Sequence, residues 1–435
     1  MKSTDHARPS AHHGPSVNAP LDSSANRPPR IIIVGGGAAG FFAAITCAEA
    51  RPDADITILE KSSAFLGKVR ISGGGRCNVT HACFDPRTLA TFYPRGERAL
   101  RAPFQAFQPR DTMDWFERRG VPLKTQDDGC VFPVSDASET IIECLLLAAR
   151  AAGVKLRLNA AVDDITRRPE GGFTIALAYG ENLICDRLLL ATGGCRVAAQ
   201  GELPVALGHT LEAPVPSLFT FTVETPWLRE LAGVVIDPVE ATVPGAGLRE
   251  RGILLLTHWG VSGPVILRLS AWGARKLHAL HYQFPLHLNW LPQLTPEAIA
   301  AQCQIRRRDQ PARRIINTPI PPLTARLWEA LVLAAGISRD TRWAVLTRAG
   351  HHQLIQQLIR TELPVTGQSL NKEEFVTCGG VPLQEVDFKT MASRVCPGLY
   401  LAGELLDIDG LTGGYNFQAA WTTGWLAGKA MAGKS

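Results

Sequence analysis

A glycine-rich turn near the start of the chain constrains the fold more than any other feature. Its G-x-G-x-x-G pattern is formed by Gly35, Gly37 and Gly40. The turn follows residues 30–34, whose mainly β-branched side chains lack a helical period and therefore predict a buried strand. An alanine-rich helix is predicted from Ala38 to about Glu49. A strand, this turn and a helix in succession are typical of a dinucleotide-binding unit.

Each glycine of the turn has a separate physical role. Gly35 permits the tight turn, Gly37 lets the backbone approach a pyrophosphate, and Gly40 lets the helix pack closely on the strand. The first residues of the helix, Ala38 and Ala39, offer unpaired N–H groups and a partial positive charge to that pyrophosphate. The pattern therefore predicts a nucleotide site rather than a purely structural turn.

A second strand is predicted at residues 55–59, and it ends at Glu60 and Lys61. Glu60 lies about 20 residues after the last glycine, where an acidic side chain accepts hydrogen bonds from the adenosine ribose. Its negative charge disfavours a 2′-phosphate, so NAD or FAD is predicted in preference to NADP. Lys61 is assigned to the same site.

A glycine-rich segment after the second strand favours FAD over NAD. The residues of this segment assigned to the site are Lys68, Ser72, Gly73, Gly74, Gly75 and Asn78. In an NAD-binding domain the chain would continue here into the next crossover helix. Three consecutive glycines instead provide a backbone that can press against a flat ring and donate N–H groups to it.

Two later segments extend the predicted FAD site. One follows a predicted meander of strands, and its residues assigned to the site are Thr192 and Gly193. Val162, earlier in the chain, is also assigned to the site. The other is C-terminal and contributes Gly403, Glu404, Gly413, Gly414, Tyr415 and Asn416, followed by a helix to about Met431. A glycine turn before a helix N-terminus suits negative charge at the N1/O2 edge of a reduced flavin. Glu404 is expected to bond the FAD ribitol.

These segments resemble the BaiN-like flavoproteins, relatives of the glutathione-reductase-type fold with two dinucleotide-binding domains. The resemblance covers residues 31–428 and rests on the glycine turn and on residues 73–78, 131–136, 257–264, 390–391 and 403–424. It implies FAD held by a domain built from both ends of the chain. It also implies NAD(P)H-driven reduction of a polarised C=C bond, in an enone-like small molecule or in a uracil ring of ribosomal RNA, which gives dihydrouridine.

The expected fold is α/β, a Rossmann-like FAD-binding domain with an inserted β-barrel-like domain and a small helical domain. The boundaries are residues 30–200 and 372–435 for the first domain, 201–292 and 362–371 for the second, and 293–361 for the third. Within the inserts, strands are predicted at residues 233–236 and 240–243, and helices at residues 264–270, 341–349 and 352–363. Residues 1–29, rich in proline and serine, are predicted to be a disordered tail.

Four residues are candidates for catalysis beside a flavin, and each has a structural alternative. Cys77 is either a proton donor or a small buried residue. Arg76 either holds a substrate carbonyl or fixes its own loop. His258 is either a proton donor that titrates near neutrality or a structural histidine. Tyr415 either places a hydroxyl at the flavin edge or packs in the core.

Composition and charge limit the remaining possibilities. The ten scattered cysteines form no C-x-x-C pair, so we expect no metal site and a reduced, cytoplasmic protein. No apolar run approaches the roughly 20 residues of a membrane span. The net charge of +5 is unevenly distributed: residues 301–350 contain a cluster of nine arginines and only three carboxylates. The cluster is either a solvated face or an RNA contact made by Arg306, Arg307, Arg308, Arg313 and Arg314.

Two other functions stay open on the sequence alone. One is a flavin amine oxidase that passes electrons to O₂, and the other is a non-catalytic RNA-binding protein stabilised by FAD. No second G-x-G-x-x-G is evident for a resident nicotinamide, so NAD(P)H is expected only as a transient electron donor.

Overall fold

The computed structural model describes residues 27–195, 201–369 and 376–433 of the chain. Residues 1–26 of the predicted tail lie outside the described residues, as do the predicted domain boundaries at 200 and 372. At the start of the described chain, the Arg27 guanidinium donates to the Asp186 carboxylate over 2.6 Å.

A seven-stranded sheet forms the centre of the larger part of the described structure. Five strands run parallel, and two short antiparallel strands extend one edge. In spatial order the strands are Val386–Asp387, Ala392–Ser393, Leu399–Leu401, Arg187–Leu190, Arg30–Val34, Asp55–Leu59 and Lys155–Arg157. The predicted strands at residues 30–34 and 55–59 are confirmed, and they lie side by side.

The strand Arg30–Val34 lies in the middle of the sheet because residues 31–34 are apolar and buried. Such a continuous apolar run is typical of a parallel strand covered on both faces. The helix Ala38–Ala50 packs against the C-terminal helix Tyr415–Met431, and the rings of Phe42 and Trp421 lie 5.1 Å apart. One hydrophobic core therefore contains residues from both ends of the chain.

The middle of the chain forms a small closed barrel, which confirms the predicted barrel-like insert. Its strands in order are Thr220–Val223, Gly260–Ser262, Leu248–Thr257, Val235–Val243, Phe284–Asn289 and Thr361–Ser369, and the last pairs with the first. The two strands predicted at residues 233–236 and 240–243 are one strand. Its register shifts between Ile236 and Val239, where Pro238 has no N–H to donate.

Helices of the predicted helical segment pack on this barrel and share its hydrophobic core. They are Pro296–Asp309, Ala325–Ala334 and Arg348–Ile359. The prediction of a helix at residues 341–349 is wrong, because Trp343–Val345 form only a single 3₁₀ turn. Thr347 accounts for the difference: its hydroxyl accepts from the Gly350 N–H over 3.0 Å and so starts the next helix.

Two other predicted helices differ in length from the observed ones. The helix predicted at residues 352–363 spans Arg348–Ile359, and the barrel strand that begins at Thr361 follows it. The helix that begins at Pro264 continues to Ala279, well beyond the predicted end at residue 270.

The other elements surround the central sheet and the barrel. Further helices are Gly67–Gly75, Pro86–Ala90, Glu97–Ala106, Pro109–Glu117, Ser138–Ala151, Glu202–Ala206 and Pro226–Arg229. Smaller sheets contain Thr80–His81, Cys130–Pro133 and Leu123–Thr125; Val162–Arg167, Phe173–Leu177 and Asn182–Cys185; and Glu212–Ser217 with Val376–Gly380. Among the described helices, none has the length and apolar character to cross a membrane.

Candidate functional site

A cavity of about 790 Å³ lies where four parallel strands of the central sheet end. The residues that follow these strands, and that line the cavity, are Gly35, Glu60, Ala191 and Gly403. Ligands of open α/β sheets bind outside the carboxyl ends of the strands. The fold therefore places the cavity where a nucleotide is expected.

Most residues predicted to hold the cofactor line this cavity. They are Gly35, Gly37, Ala38, Ala39, Glu60, Lys68, Ser72, Gly73, Asn78, Thr192, Gly193, Gly403, Glu404, Gly413, Gly414 and Asn416. Six assigned residues lie outside the described lining, namely Gly40, Lys61, Gly74, Gly75, Val162 and Tyr415. Val162 begins a strand of a separate three-stranded sheet.

The geometry of the first turn requires glycine at two of its three positions. Gly35 has a φ of +114°, and a Cβ there would lie 2.2 Å from the Ala191 carbonyl oxygen. A Cβ at Gly40 would lie 2.0 Å from the Gly35 carbonyl oxygen, so the helix and the turn can touch only without a side chain. A Cβ at Gly37 would meet no atom within 4 Å. Gly37 therefore leaves open space at the cavity wall.

Glu60 is held in a defined position at the end of its strand. Its Oε2 accepts from the Gly36 N–H over 2.8 Å, and its Oε1 accepts from the Ser62 N–H and hydroxyl over 2.9 and 2.6 Å. Carboxylate oxygens can accept more than one hydrogen bond each. The turn thus orients Glu60 at the cavity wall while leaving it further capacity to bind hydroxyl groups.

Three helices begin at the cavity without a side-chain cap. Their N-cap residues are Gly37, Leu66 and Gly414, and all three line the cavity. The first N–H groups of a helix have no partner within the helix, and the helix dipole adds a partial positive charge there. Three such ends around one cavity provide an environment suited to a diphosphate and to other negative charge.

An ion pair joins two segments from opposite ends of the chain at the cavity wall. Lys68 Nζ lies 2.5 Å from Glu404 Oε2, and both residues line the cavity. Glu404 Oε1 also accepts from the Thr377 N–H over 3.0 Å. The carboxylate of Glu404 is therefore fixed from two sides.

The candidate residues of the glycine-rich segment support its structure. The helix Gly67–Gly75 is broken at residues 72–74, so the predicted glycine loop is the irregular end of a short helix. Arg76 Nε donates to the Gly73 carbonyl over 3.2 Å, and the guanidinium lies 4.2 Å from the centre of the Phe132 ring. Cys77 is fully buried, and burial raises the pKa of its thiol to about 12. Neither Arg76 nor Cys77 is among the described lining residues.

Tyr415 lies in an aromatic stack beneath the Gly413-Gly414 turn. Its ring is 4.5 Å from that of His81 and 4.6 Å from that of Phe92, and only 3% of the residue is exposed. His81 Nδ1 lies 3.1 Å from the Gly413 carbonyl oxygen. Burial lowers the pKa of His81, against smaller opposing effects of this hydrogen bond and of Asp128. Sequence reasoning missed His81, although it comes three residues after Asn78.

The barrel and the segments that adjoin it supply the other wall of the cavity, and none of the residues of this wall was assigned to the site from the sequence. This wall consists of Leu218, Thr220, Trp259, Ser262, Leu267 and Ser369. The signal that could have indicated it is the block at residues 257–264, which includes Trp259. His258 is exposed in the same turn but is not among the described lining residues. The four catalytic assignments, Arg76, Cys77, His258 and Tyr415, stay predictions.

The arginine cluster is heterogeneous. Arg306 is half-buried and donates to the carbonyls of Thr318 and Pro319 over 3.2 and 3.1 Å, so it holds two segments of the helical region together. The exposed arginines Arg308 and Arg314 pair with Asp309 and Asp340. Arg307 and Arg313 are exposed. No group of three or more potential metal ligands occurs within the described ranges.

Most of the chain is similar to known proteins. The family profile described as "HI0933-like protein Rossmann domain" matches residues 29–430. A "3-dehydro-bile acid delta(4,6)-reductase" of Clostridium scindens is 30% identical over 93% of this chain and 99% of its own length. A "Ribosomal RNA dihydrouridine synthase" of Escherichia coli strain K12 is 30% identical over 92% of this chain and 97% of its own. The protein of the same name from Haemophilus influenzae is 26% identical over 91% of this chain and 96% of its own length.

Proposed function

Because the chain belongs to the HI0933-like family of Rossmann-domain proteins, we propose that it is an FAD-dependent oxidoreductase that reduces a polarised C=C bond with electrons from NAD(P)H. The observation that carries the proposal is that the glycine turn and three helix N-termini without side-chain caps all line one cavity. A cytoplasmic location is part of the proposal, and the free thiols at all ten cysteines suit it.

The residues of the cavity fit FAD from one end to the other. Gly37 and the helix start behind it would hold the pyrophosphate, and Glu60 would hold the adenosine ribose. Gly73 and the turn at Gly413 and Gly414 would lie along the ring system. When bound, the flavin supplies hydride transfer, and the protein contributes binding, orientation and electrostatics.

The described ionisable groups in the lining have binding rather than proton-transfer roles. Glu60 is held by the turn, and Lys68 and Glu404 form an ion pair. A proton donor would therefore come from beside the cavity. Cys77, His258 and Tyr415 each lie next to a lining residue in sequence. Burial raises the pKa of the Cys77 thiol, which makes it a weaker acid than a free thiol.

The substrate is proposed to contain a C=C bond conjugated to a carbonyl group. The relatives are named as a bile acid reductase and a ribosomal RNA dihydrouridine synthase. Dihydrouridine is uridine whose ring C=C bond is reduced, so an enone-like small molecule and a uracil ring share the reacting group. An RNA substrate would be attracted by exposed arginines such as Arg307 and Arg313.

Anaerobic reduction of the purified holoprotein tests this function. The flavin absorbance should bleach rapidly on mixing with NADH or NADPH, and one of the two should react faster. Reoxidation by a conjugated enone or by uridine-containing ribosomal RNA should then restore the absorbance. A flavin that is unaffected by both nicotinamides but bleached by an amine would replace this proposal with the amine oxidase alternative. A flavin that is inert to all of these reagents would favour the non-catalytic alternative.

A further inference from the structure

We infer that the indole of Trp259 stacks on an uncharged, flat, conjugated carbonyl ring. This ring would bind at the wall of the cavity opposite the glycine-rich segment. The inference rests on the proposed function, because it assigns the substrate side of the same site. It gives Trp259 a ligand-binding role, which the sequence did not assign to this residue.

Trp259 is exposed at a position that faces a cavity. Its residue surface is 47% exposed, whereas Trp290 in the same barrel core is fully buried. An exposed tryptophan is a large apolar surface left in contact with water. Because Trp259 lines the cavity, a ligand there would cover this surface.

The backbone that carries Trp259 is fixed. His258 and Trp259 form the two-residue turn between strands Leu248–Thr257 and Gly260–Ser262. The Trp259 carbonyl accepts from the Val223 N–H over 2.9 Å. A Cβ at Gly260 would lie 2.2 Å from the Phe221 carbonyl oxygen, so the turn can lie against its neighbouring strand only with glycine there.

The indole itself is also oriented in advance. Its Nε1 lies 3.4 Å from Thr220 Oγ1, which it approaches as a donor, and Thr220 Oγ1 donates to the Ser369 carbonyl over 3.1 Å. Thr220 and Ser369 line the cavity beside Trp259. A side chain that is already ordered loses little further conformational freedom when a ligand stacks on it.

The other residues of the same cavity wall define the chemistry of the ligand. Leu218 and Leu267 are apolar, and Thr220, Ser262 and Ser369 carry neutral hydroxyl groups. Hydroxyls both donate and accept hydrogen bonds, so they can bind the carbonyl and N–H edges of a ring without a charge on it. An aromatic face with neutral polar groups at its edge suits an enone ring or a uracil ring better than an anionic group.

The test compares Trp259→Ala and Trp259→Phe with Trp272→Ala in the FAD-loaded protein. Trp272 is a matched control, because it is 41% exposed and lines a different, smaller pocket. The probes are a 4-en-3-one steroid and a uridine oligonucleotide, whose binding is measured by equilibrium dialysis. These two arms distinguish a small-molecule ring from a nucleobase.

Trp259→Ala should weaken binding of the recognised probe about tenfold or more, and Trp259→Phe should weaken it less, because a ring remains. Trp272→Ala should bind like the wild type, and all variants should retain FAD. Equal binding by Trp259→Ala and the wild type would overturn the inference, as would a wild-type protein that binds neither probe. Failure of the proposed function would appear separately, as wild-type flavin that neither nicotinamide reduces.

Discussion

Lys68 and Glu404 are 336 positions apart in the sequence, and their side chains form an ion pair at the wall of the cavity. Lys68 belongs to the helix after the second strand of the sheet, and Glu404 follows the C-terminal strand Leu399–Leu401. Only 17% of the Glu404 side chain is exposed, so its charge is more strongly coupled to its neighbours than a surface charge would be. The pair therefore links two cofactor-binding segments that have no local connection.

Replacement of Glu404 by Gln should weaken retention of FAD while the protein stays folded. The amide keeps the size of the side chain but removes the charge that pairs with Lys68, so the C-terminal segment is less firmly placed. We expect the dissociation constant for FAD to rise about tenfold, as for loss of one charge-assisted hydrogen bond of about 1.5 kcal/mol. Fluorescence titration of the apoprotein with FAD measures this change.

Glu97→Gln is the matched control for Glu404→Gln. Glu97 pairs with Arg101 on an exposed helix surface, away from the described lining. Exposed pairs of this spacing contribute little to stability. If Glu97→Gln and Glu404→Gln change FAD affinity equally, the Lys68–Glu404 pair has no special role in binding.

Two glycine substitutions three residues apart should have different consequences. Gly40→Ala should lower the free energy of unfolding by about 1–3 kcal/mol, because the new Cβ would lie 2.0 Å from the Gly35 carbonyl oxygen. Gly37→Ala should leave unfolding unchanged, since its Cβ meets no atom within 4 Å. It should instead weaken FAD binding, because the methyl group occupies space at the cavity wall. Urea unfolding of the apoprotein and titration with FAD separate the two effects, and parallel losses in both variants would contradict the assignment of Gly37.

The cofactor side of the site could be predicted because its determinants are local. The order of strand, glycine turn, helix and Glu60 is contained within about 30 consecutive residues, the length of a βαβ unit. The barrel wall depends instead on closure of the barrel, which brings Thr220 beside Ser369 from 149 positions away. No local pattern specifies that register. The helix predicted at residues 341–349 failed for a different, local reason, since the hydroxyl of Thr347 caps the next helix and outweighed the apolar spacing.

His81 should make stability depend on pH between neutrality and mildly acidic conditions. Burial lowers its pKa in the folded protein below the usual 6.5. In this window the unfolded chain binds a proton that the folded protein does not, so the free energy of unfolding falls as the pH decreases from about 6.5 through the lowered pKa. His81→Gln should flatten this dependence, which urea unfolding at a series of pH values measures. Parallel pH profiles for the variant and the wild type would exclude His81 as the source.

The arginine cluster should separate into structural and surface residues. Arg306→Gln should lower the free energy of unfolding by about 1–3 kcal/mol, because the bonded carbonyls of Thr318 and Pro319 lose a charged donor. The double variant Arg307→Gln/Arg313→Gln should fold normally, since both side chains are exposed. If the surface binds ribosomal RNA, this variant should bind an RNA fragment more weakly, and the slope of log affinity against log salt should fall by about one per arginine.

The control for the double variant is Arg101→Gln. It removes an exposed arginine from the helix Glu97–Ala106, which lies outside the predicted helical domain of residues 293–361. Both proteins are titrated with the same RNA fragment at several salt concentrations. Loss of affinity only in Arg307→Gln/Arg313→Gln, with a reduced salt slope, would locate the RNA on the helical segment. Each phosphate contact that the protein makes releases counterions from the RNA, so loss of a contact reduces the salt slope. An unchanged slope would mean that these arginines touch no phosphate and that the cluster is a solvated face.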